Sequence, residues 1–414
     1  MEKILFHVDV NSAFLAWNAV WDLQHGGTED IRLIPAIVGG DPENRHGIVL
    51  AKSTPAKRYG IVTGETLFSA LSKCPQLKIV PPRYSIYMKA SNAMVEILEQ
   101  YSPILERYSI DECFLDMGQI SRREALNLAG LIKAEISGKL GFTVNVGIGT
   151  NKLCAKMASD FQKPDRIHTL YPEEVPTKLW PLPVGELFMV GPRTAAKLMG
   201  MNIKTIGELA NADPGFILDR FMKFGMMIHC YANGIDSSQV HQDGSVPVKG
   251  MGNSTTPPYD LTDRASCHKT ILSLLETLVP RLREGGFLTG CLSVHYTSAD
   301  FTTKRRQRRI NHPTDSMGMA TEICTALFDE IWQGEPVRKI GAAFSMLTSD
   351  QAVQLSMLDY EAAQKNERLD QVIAGIRQRF GDDSLLRATF VASSIKSFAG
   401  GVDDKDYVFM NSNL

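Results

Sequence analysis

At 414 residues the chain is too long for one ordinary domain, and about two to four are expected. Its 44% hydrophobic and 22% charged residues exclude a disordered chain. The net charge of −2 excludes a uniformly basic nucleic-acid binder, and no apolar run approaches the roughly 18 residues of a membrane span.

The amino terminus runs from Met1 straight to Asp9, unlike a signal peptide. Seven scattered cysteines with no CxxC pair argue against a disulfide framework or a zinc site and point to the cytoplasm. Charge is segregated all the same. Lys304-Arg305-Arg306-Gln307-Arg308-Arg309 is a dense basic run, preceded by Arg281 and Arg283, and the stretch 350–406 leans acidic. A local basic stripe can grip phosphates whatever the total charge.

In chain order, residues 4–10 read as a buried strand and 13–23 as a helix. Short strands follow at 34–38 and 47–51, bounded by Gly39-Gly40 and Asp41-Pro42 turns. Helical periodicity spans 84–101, with Tyr87, Ala90, Met94, Ile97 and Leu98 on one stripe. A strand pair over 107–116 breaks near Asp111; a helix (123–140), a strand (143–148) and a helix (151–161) closed by Lys163-Pro164 complete the region. Strand, long helix, strand pair, helix, strand is a split βαβ order, which resembles a ferredoxin-like sheet.

Residues 181–210 predict a helix–hairpin–helix around Val190-Gly191-Pro192-Arg193, a geometry that turns backbone N–H groups toward a phosphate; an ordinary αα-hairpin fits the same residues. The Gly, Ser, Thr and Pro content of 234–258 predicts a linker. Helix 268–284, strand 288–296, basic strand 302–310, helix 316–332 and strand 338–347 then form a second α+β unit. An amphipathic helix over 360–380 would carry Leu369, Val372, Ile373, Ile376 and Phe380 on one side.

Two stretches carry chemistry: His7-Val8-Asp9-Val10-Asn11-Ser12-Ala13-Phe14 and Ser109-Ile110-Asp111-Glu112-Cys113-Phe114-Leu115-Asp116. Each is apolar and strand-like yet carries acids, and an ionised carboxylate buried without a partner costs several kcal/mol or shifts its pKa. Three carboxylates from neighbouring strands repel one another unless a cation lies between them. An all-oxygen set suits a hard ion such as Mg²⁺, which also takes substrate phosphates as ligands. Metal-assisted phosphoryl transfer is the chemistry expected.

These stretches, with Gly147-Ile148-Gly149-Thr150-Asn151-Lys152-Leu153-Cys154-Ala155-Lys156-Met157-Ala158-Ser159-Asp160 and Lys163-Pro164, resemble the Y-family, or translesion, DNA polymerases, which include bacterial polymerases IV and V. Asp9-Val10-Asn11 is more similar to the polymerase V branch. The resemblance covers nearly the whole chain and implies an α+β multidomain fold: a ferredoxin-like palm (1–21 and 77–168), small fingers (22–76), a helix–hairpin–helix thumb (169–234), a linker (235–258), an α+β little finger (259–347) and a tail (348–414). It implies that Asp9, Asp111 and Glu112, with the carbonyl of Val10, hold two Mg²⁺ ions. Ser12, Ala13, Phe14, Thr54, Lys57 and Lys163 would meet the nucleotide, with Phe14 as the steric gate against a 2′-hydroxyl.

The sequence departs from the family where a tyrosine and an arginine usually approach the triphosphate, since Thr54 and Lys57 stand there. Met189 replaces a hairpin glycine. Gly191, Arg193, Thr194 and Lys197 of the hairpin would contact DNA. So would alternate residues of the basic strand, either Lys304, Arg306 and Arg308 or Arg305 and Arg309. Gln354-Leu355-Ser356-Met357-Leu358 resembles the pentapeptide that docks on the bacterial sliding clamp, through Gln354, Leu355, Met357 and Leu358. The resemblance thus implies a monomeric, cytoplasmic, template-directed DNA polymerase that uses primer-template DNA and dNTPs. Two alternatives stand beside it: a two-metal nuclease, and a DNA- and clamp-binding accessory protein without catalysis.

Overall fold

The computed structural model describes residues 2–40, 47–242, 247–349, 360–391 and 393–399, with side chains in the last helix described from 368 onward. These form two compact units that divide between 242 and 247.

The first unit opens with β1 (Lys3–Val10) and α1 (Ala13–Gln24), followed by β2 (Ala36–Gly39), β3 (Val49–Lys52), α2 (Thr54–Lys57), α3 (Leu67–Lys73) and β4 (Lys78–Val80). Next come α4 (Tyr84–Leu98), β5 (Leu105–Arg107), β6 (Glu112–Gln119), α5 (Arg122–Leu140), β7 (Val144–Gly149), α6 (Lys152–Asp160) and β8 (Ile167–Leu170). The main sheet runs β5-β6-β1-β7-β8, with β1 antiparallel to both neighbours. Because strand side chains alternate, Ile4, Phe6, Val8 and Val10 pack in one core with α4 and α5, whereas Leu5 packs with Phe114 and Ala155. Asp9 shares the α6 face with Leu5 and His7.

Two glycines let α6 press onto that face. A Cβ on Gly147 would lie 1.9 Å from the Ala155 carbonyl oxygen, and one on Gly149 would lie 2.6 Å from the Ala155 nitrogen. The side chain of Asn151 caps the helix by accepting from the Cys154 N–H at 2.8 Å. A smaller sheet, β3-β2-β4, carries α2 and α3 on a core of Ile37, Val49, Ala56, Ile61, Leu67 and Ala70. The unit ends in α7 (Pro192–Gly200), α8 (Ile206–Ala210) and α9 (Pro214–Ala232), the last kinked at Met222.

The second unit packs α10 (Arg264–Glu284) and α11 (Met317–Ile331) on a sheet of β9 (Gly250–Thr255), β10 (Leu288–Ser298), β11 (Thr303–Thr314) and β12 (Val337–Thr348), in the order β11-β10-β12-β9. Helix α12 (Tyr360–Phe380) follows.

Two sequence expectations need correction. The linker over 235–258 is structured at both ends. Val240 is buried with Leu5 and Phe114, and the His241 N–H donates to Glu106 at 2.8 Å. At the other end β9 completes the second sheet, because its glycines fit where side chains would not: a Cβ on Gly250 would lie 2.8 Å from the Phe344 carbonyl oxygen.

The helix expected over 360–380 stands at Tyr360–Phe380, but the face that packs is not the expected apolar one. Helix α12 docks by charge, with Arg283 on Asp370 at 2.5 Å and Arg377 on Glu276 at 2.6 Å. Its polar Asp370 and Arg377 are the buried residues, while Leu369, Val372 and Phe380 of the apolar stripe are exposed. Ion pairing to partners far away in sequence overrides the amphipathic pattern. Gln354, Leu355, Met357 and Leu358 lie outside the described residues.

Candidate active site

Antiparallel pairing sets Asp9 of β1 opposite Glu112 of β6. Asp111 arrives by a tight turn. The N–H groups of Tyr108 and Ser109 both donate to the Glu112 carbonyl, the Ser109 hydroxyl donates to Asp111 Oδ1 at 2.6 Å, and the Val10 N–H donates to the Asp111 carbonyl at 3.0 Å. One cavity of about 810 Å³ is lined by Asp9, Val10, Ser12, Ala13, Phe14, Thr54, Lys57, Asp111, Glu112 and Lys163, and also by Arg32, Lys52 and Ser53. Every residue expected to hold metal or nucleotide therefore borders one space.

Phe14 is fixed from behind. Its ring lies parallel to Tyr87, with centroids 4.4 Å apart, and meets the edge of Tyr84 at 6.1 Å. Tyr87 is itself buried and accepts from the Asn18 amide at 2.8 Å. Ser12, which precedes α1, sits in the left-handed region at φ 51°.

The carboxylates are balanced by lysines. Lys163 donates to Asp9 and also pairs with Asp160 at 2.7 Å. Lys156 of α6 lies 2.8 Å from Glu112, and Lys152, one turn earlier, pairs with buried Glu106 at 2.7 Å. Burial pushes the Asp9 carboxyl up to about 6 against the pull of Lys163, and the charge of Glu112 adds to the rise. Burial likewise raises Asp111, opposed by the Ser109 hydroxyl and aided by the charge of Asp9. For Lys163, burial works downward but the carboxylates of Asp9 and Asp160 outweigh it.

Among the described residues no three His, Cys, Asp or Glu side chains converge to hold a metal as they stand, because Asp9 and Glu112 are turned onto lysines. The donor chemistry nevertheless fits a hard divalent ion. The charge of Glu112 raises Asp9 and that of Asp9 raises Asp111 across one cavity, a repulsion that a cation relieves. To hold one, Asp9 and Glu112 would have to leave their lysines.

Profiles of the impB/mucB/samB family match residues 8–160, the family's C-terminal domain matches 248–357, and the family's HHH motif matches 172–203. A DNA polymerase IV of Clostridium acetobutylicum is 45% identical over 397 residues, covering 96% of this chain and 100% of the relative. The chain belongs to the Y-family DNA polymerases. DNA polymerase IV 2 of Bacillus subtilis is 35% identical, covering 96% of this polymerase and 97% of its own length. Among solved structures, the Y-family DNA polymerase chimera Dbh-Dpo4(243-245)-Dbh matches the fold with TM-score 0.72 at 23% identity, covering 84% of this chain and 100% of the other. These curated relatives carry the polymerase IV name, which corrects the expected likeness to the polymerase V branch.

In this polymerase the residues expected to meet DNA fall on two elements. Gly191 precedes α7, on which Arg193 and Lys197 are exposed one turn apart and Thr194 is half-buried. Met189 takes φ 72°, so a methionine holds the left-handed conformation that suits glycine. On β11, Lys304 pairs with Glu335 at 2.6 Å, Arg306 pairs with Glu330 at 3.0 Å, and Arg308 pairs with Glu330 as well. Arg305 and Arg309 alternate with these, opposite His295 and Cys291 of β10, and have no acidic partner among the described residues.

Several neighbours of the site were not singled out from the sequence. His7 is fully buried. The Ser159 hydroxyl donates to the Lys156 carbonyl at 2.7 Å, so its proton is committed and His7 Nδ1–H must donate to Ser159 at 2.8 Å. His7 Nε2 is then a bare acceptor 3.9 Å from Glu112. Burial and Lys156 hold this imidazole well below its ordinary range. The i,i+4 spacing of Lys152 and Lys156 on an otherwise apolar helix was the legible signal for the lysine pair. Asn145 left no such signal, although it accepts from Asn11 at 3.1 Å.

Proposed function

We propose that this chain is a template-directed DNA polymerase of the translesion type, adding deoxynucleotides from dNTPs to a primer 3′ end. The observation that carries the reading is the single cavity in which three acids, a braced phenylalanine and lysines meet. Family membership supplies the class of reaction, DNA-directed DNA synthesis, and the use of divalent metal.

Asp9, Asp111 and Glu112, with the Val10 carbonyl, hold two Mg²⁺ ions in this reading. When bound, these ions lower the pKa of the primer hydroxyl and neutralise charge on the departing pyrophosphate. Lys163, released from Asp9, turns to the triphosphate, and Lys57, which lines the same cavity, grips it as well. Phe14 occupies the volume a ribose 2′-hydroxyl would need, and its backing by Tyr87 keeps it from yielding. Arg193, Lys197, Arg305 and Arg309 bear on the DNA backbone, which suits binding without base specificity. Lys304, Arg306 and Arg308 act there only if they leave their glutamates. The polymerase works as a monomer in the cytoplasm and docks on the sliding clamp through 354–358.

Incubation of an end-labelled primer on a template with Mg²⁺ and dNTPs tests the reading. Elongation to the template end supports it. Primer shortening would favour the nuclease, and unchanged primer with DNA still bound would favour the accessory protein.

A further inference from the structure

We propose that Lys52 is a second phosphate-binding cation of the nucleotide cavity, contacting the part of the triphosphate that leaves as pyrophosphate. This rests on the cavity being the nucleotide seat. Lys52 ends β3, paired with Ile37 of β2, and the chain turns directly into α2, which carries Lys57. It lines the same cavity as Asp9, Phe14, Lys57 and Lys163.

Three cations beside Lys52 line the cavity, Arg32, Lys57 and Lys163, and two of them are already committed. Arg32 spends Nε and Nη2 on Asp30, at 2.9 and 2.8 Å, and Nη1 on the Gly141 carbonyl at 2.7 Å. Lys163 is shared between Asp9 and Asp160. Lys73 lies near Lys52 but is taken by Glu65 at 2.6 Å. Only Lys57 remains without an acid partner among the described residues.

The charged groups bearing on Lys52 are Lys57, Glu65 and Lys73. Glu65 is the one acid, and its carboxylate already accepts from Lys73, from the Ser69 hydroxyl at 2.7 Å and from the Val62 N–H at 2.7 Å. Lys52 is half-buried beside a like charge, with Glu65 as the one offsetting acid among the described residues, and burial together with Lys57 holds its ammonium below the ordinary lysine range. Two ammonium groups lining one cavity, neither paired with an acid among the described residues, form a seat for a multiply charged anion. The three carboxylates elsewhere in the cavity repel such an anion unless cations stand between, which sets the phosphates at the lysine end. A lysine ammonium suits phosphate as a compact point charge. The second lysine also compensates for the missing arginine fork at position 57.

The test compares wild type, Lys52→Ala and Lys52→Arg in single-turnover incorporation and in the reverse reaction with inorganic pyrophosphate. Loss of one charge-assisted contact is expected to weaken both dNTP and pyrophosphate about tenfold in Lys52→Ala. Primer-template Kd should stay within about twofold, and Lys52→Arg should recover most of the loss. Unchanged dNTP and pyrophosphate affinity in an active Lys52→Ala enzyme would overturn the assignment. So would a loss confined to dNTP, which marks a base or sugar contact, or a loss confined to primer-template binding. A wild-type enzyme that does not extend primers would overturn the functional reading itself, and is distinguished by that control.

Discussion

Asp9 and Glu112 face each other across paired strands, and each carboxylate is held by a lysine from beyond the sheet, Lys163 for the first and Lys156 for the second. The acids are thus charge-balanced before any metal arrives, and cation binding becomes an exchange of partners. In the proposed reading, a metal taken up by Asp9 would free Lys163 for a triphosphate.

A pH dependence follows. Burial raises Asp9 to about 6, so in the metal-free protein its proton is held below that pH and lost above it. The raised value means that the protonated form is favoured in the folded state, and the charged form needed for a cation is complete only above about pH 7. Mg²⁺ binding at pH 5.5 should therefore release more protons than at pH 8. Calorimetry in buffers of different ionisation enthalpy reads this directly, and equal proton release at both pH values would contradict it.

Sugar discrimination should depend on a residue that never touches the nucleotide. Phe14→Ala opens the space beside the sugar and should raise ribonucleotide over deoxynucleotide incorporation by roughly 10- to 200-fold. Tyr87→Ala removes the ring stacked behind Phe14 and should relax selection in the same direction, by less. Competition between a dNTP and its rNTP partner measures both.

The basic strand should divide by parity. Arg305 and Arg309 have no acid partner among the described residues, whereas Arg306 and Arg308 share Glu330. The double variant Arg305→Ala/Arg309→Ala should reduce the slope of log Kd against log salt by about two, at roughly 0.9 per phosphate contact. Arg306→Ala/Arg308→Ala should change it by less. Fluorescence anisotropy across a salt series decides the matter.

The docking of α12 is testable by stability. Glu276 is almost wholly buried between Arg377 and Arg387. Removing a partner from a buried ion pair typically costs about 3–5 kcal/mol because a charge is left uncompensated. Arg377→Ala, which leaves Arg387 in place, should lose about 3 kcal/mol in urea unfolding. Replacing Glu276, Arg377 and Arg387 together by leucine or methionine should recover much of that.

What the sequence revealed depended on how local the signal was. Strands β1 and β7 and helices α4 and α5 fell close to their expected bounds, because β1 and β7 are buried runs and α4 and α5 carry helical periodicity, whereas the edge strand β8 was not expected. The acids were legible as charges inside apolar strands. By contrast, β9 was read as linker because its glycines resemble a loop until β12 is known to lie against them. The face of β11 free of acid partners depended on Glu330 and Glu335, more than twenty residues away. Helix α12 was read by its apolar stripe, yet it is held by buried charges whose partners lie on α10.

In the proposed reading, Asp9, Asp111 and Glu112 form the metal site of this DNA polymerase. This is tested most directly by single-nucleotide incorporation with Mg²⁺ on a primer-template, comparing wild type with Asp111→Ala/Glu112→Ala at equal DNA occupancy. Wild type should incorporate robustly and the double variant not above background, with primer-template Kd little changed. Incorporation that survives the double substitution would contradict that reading.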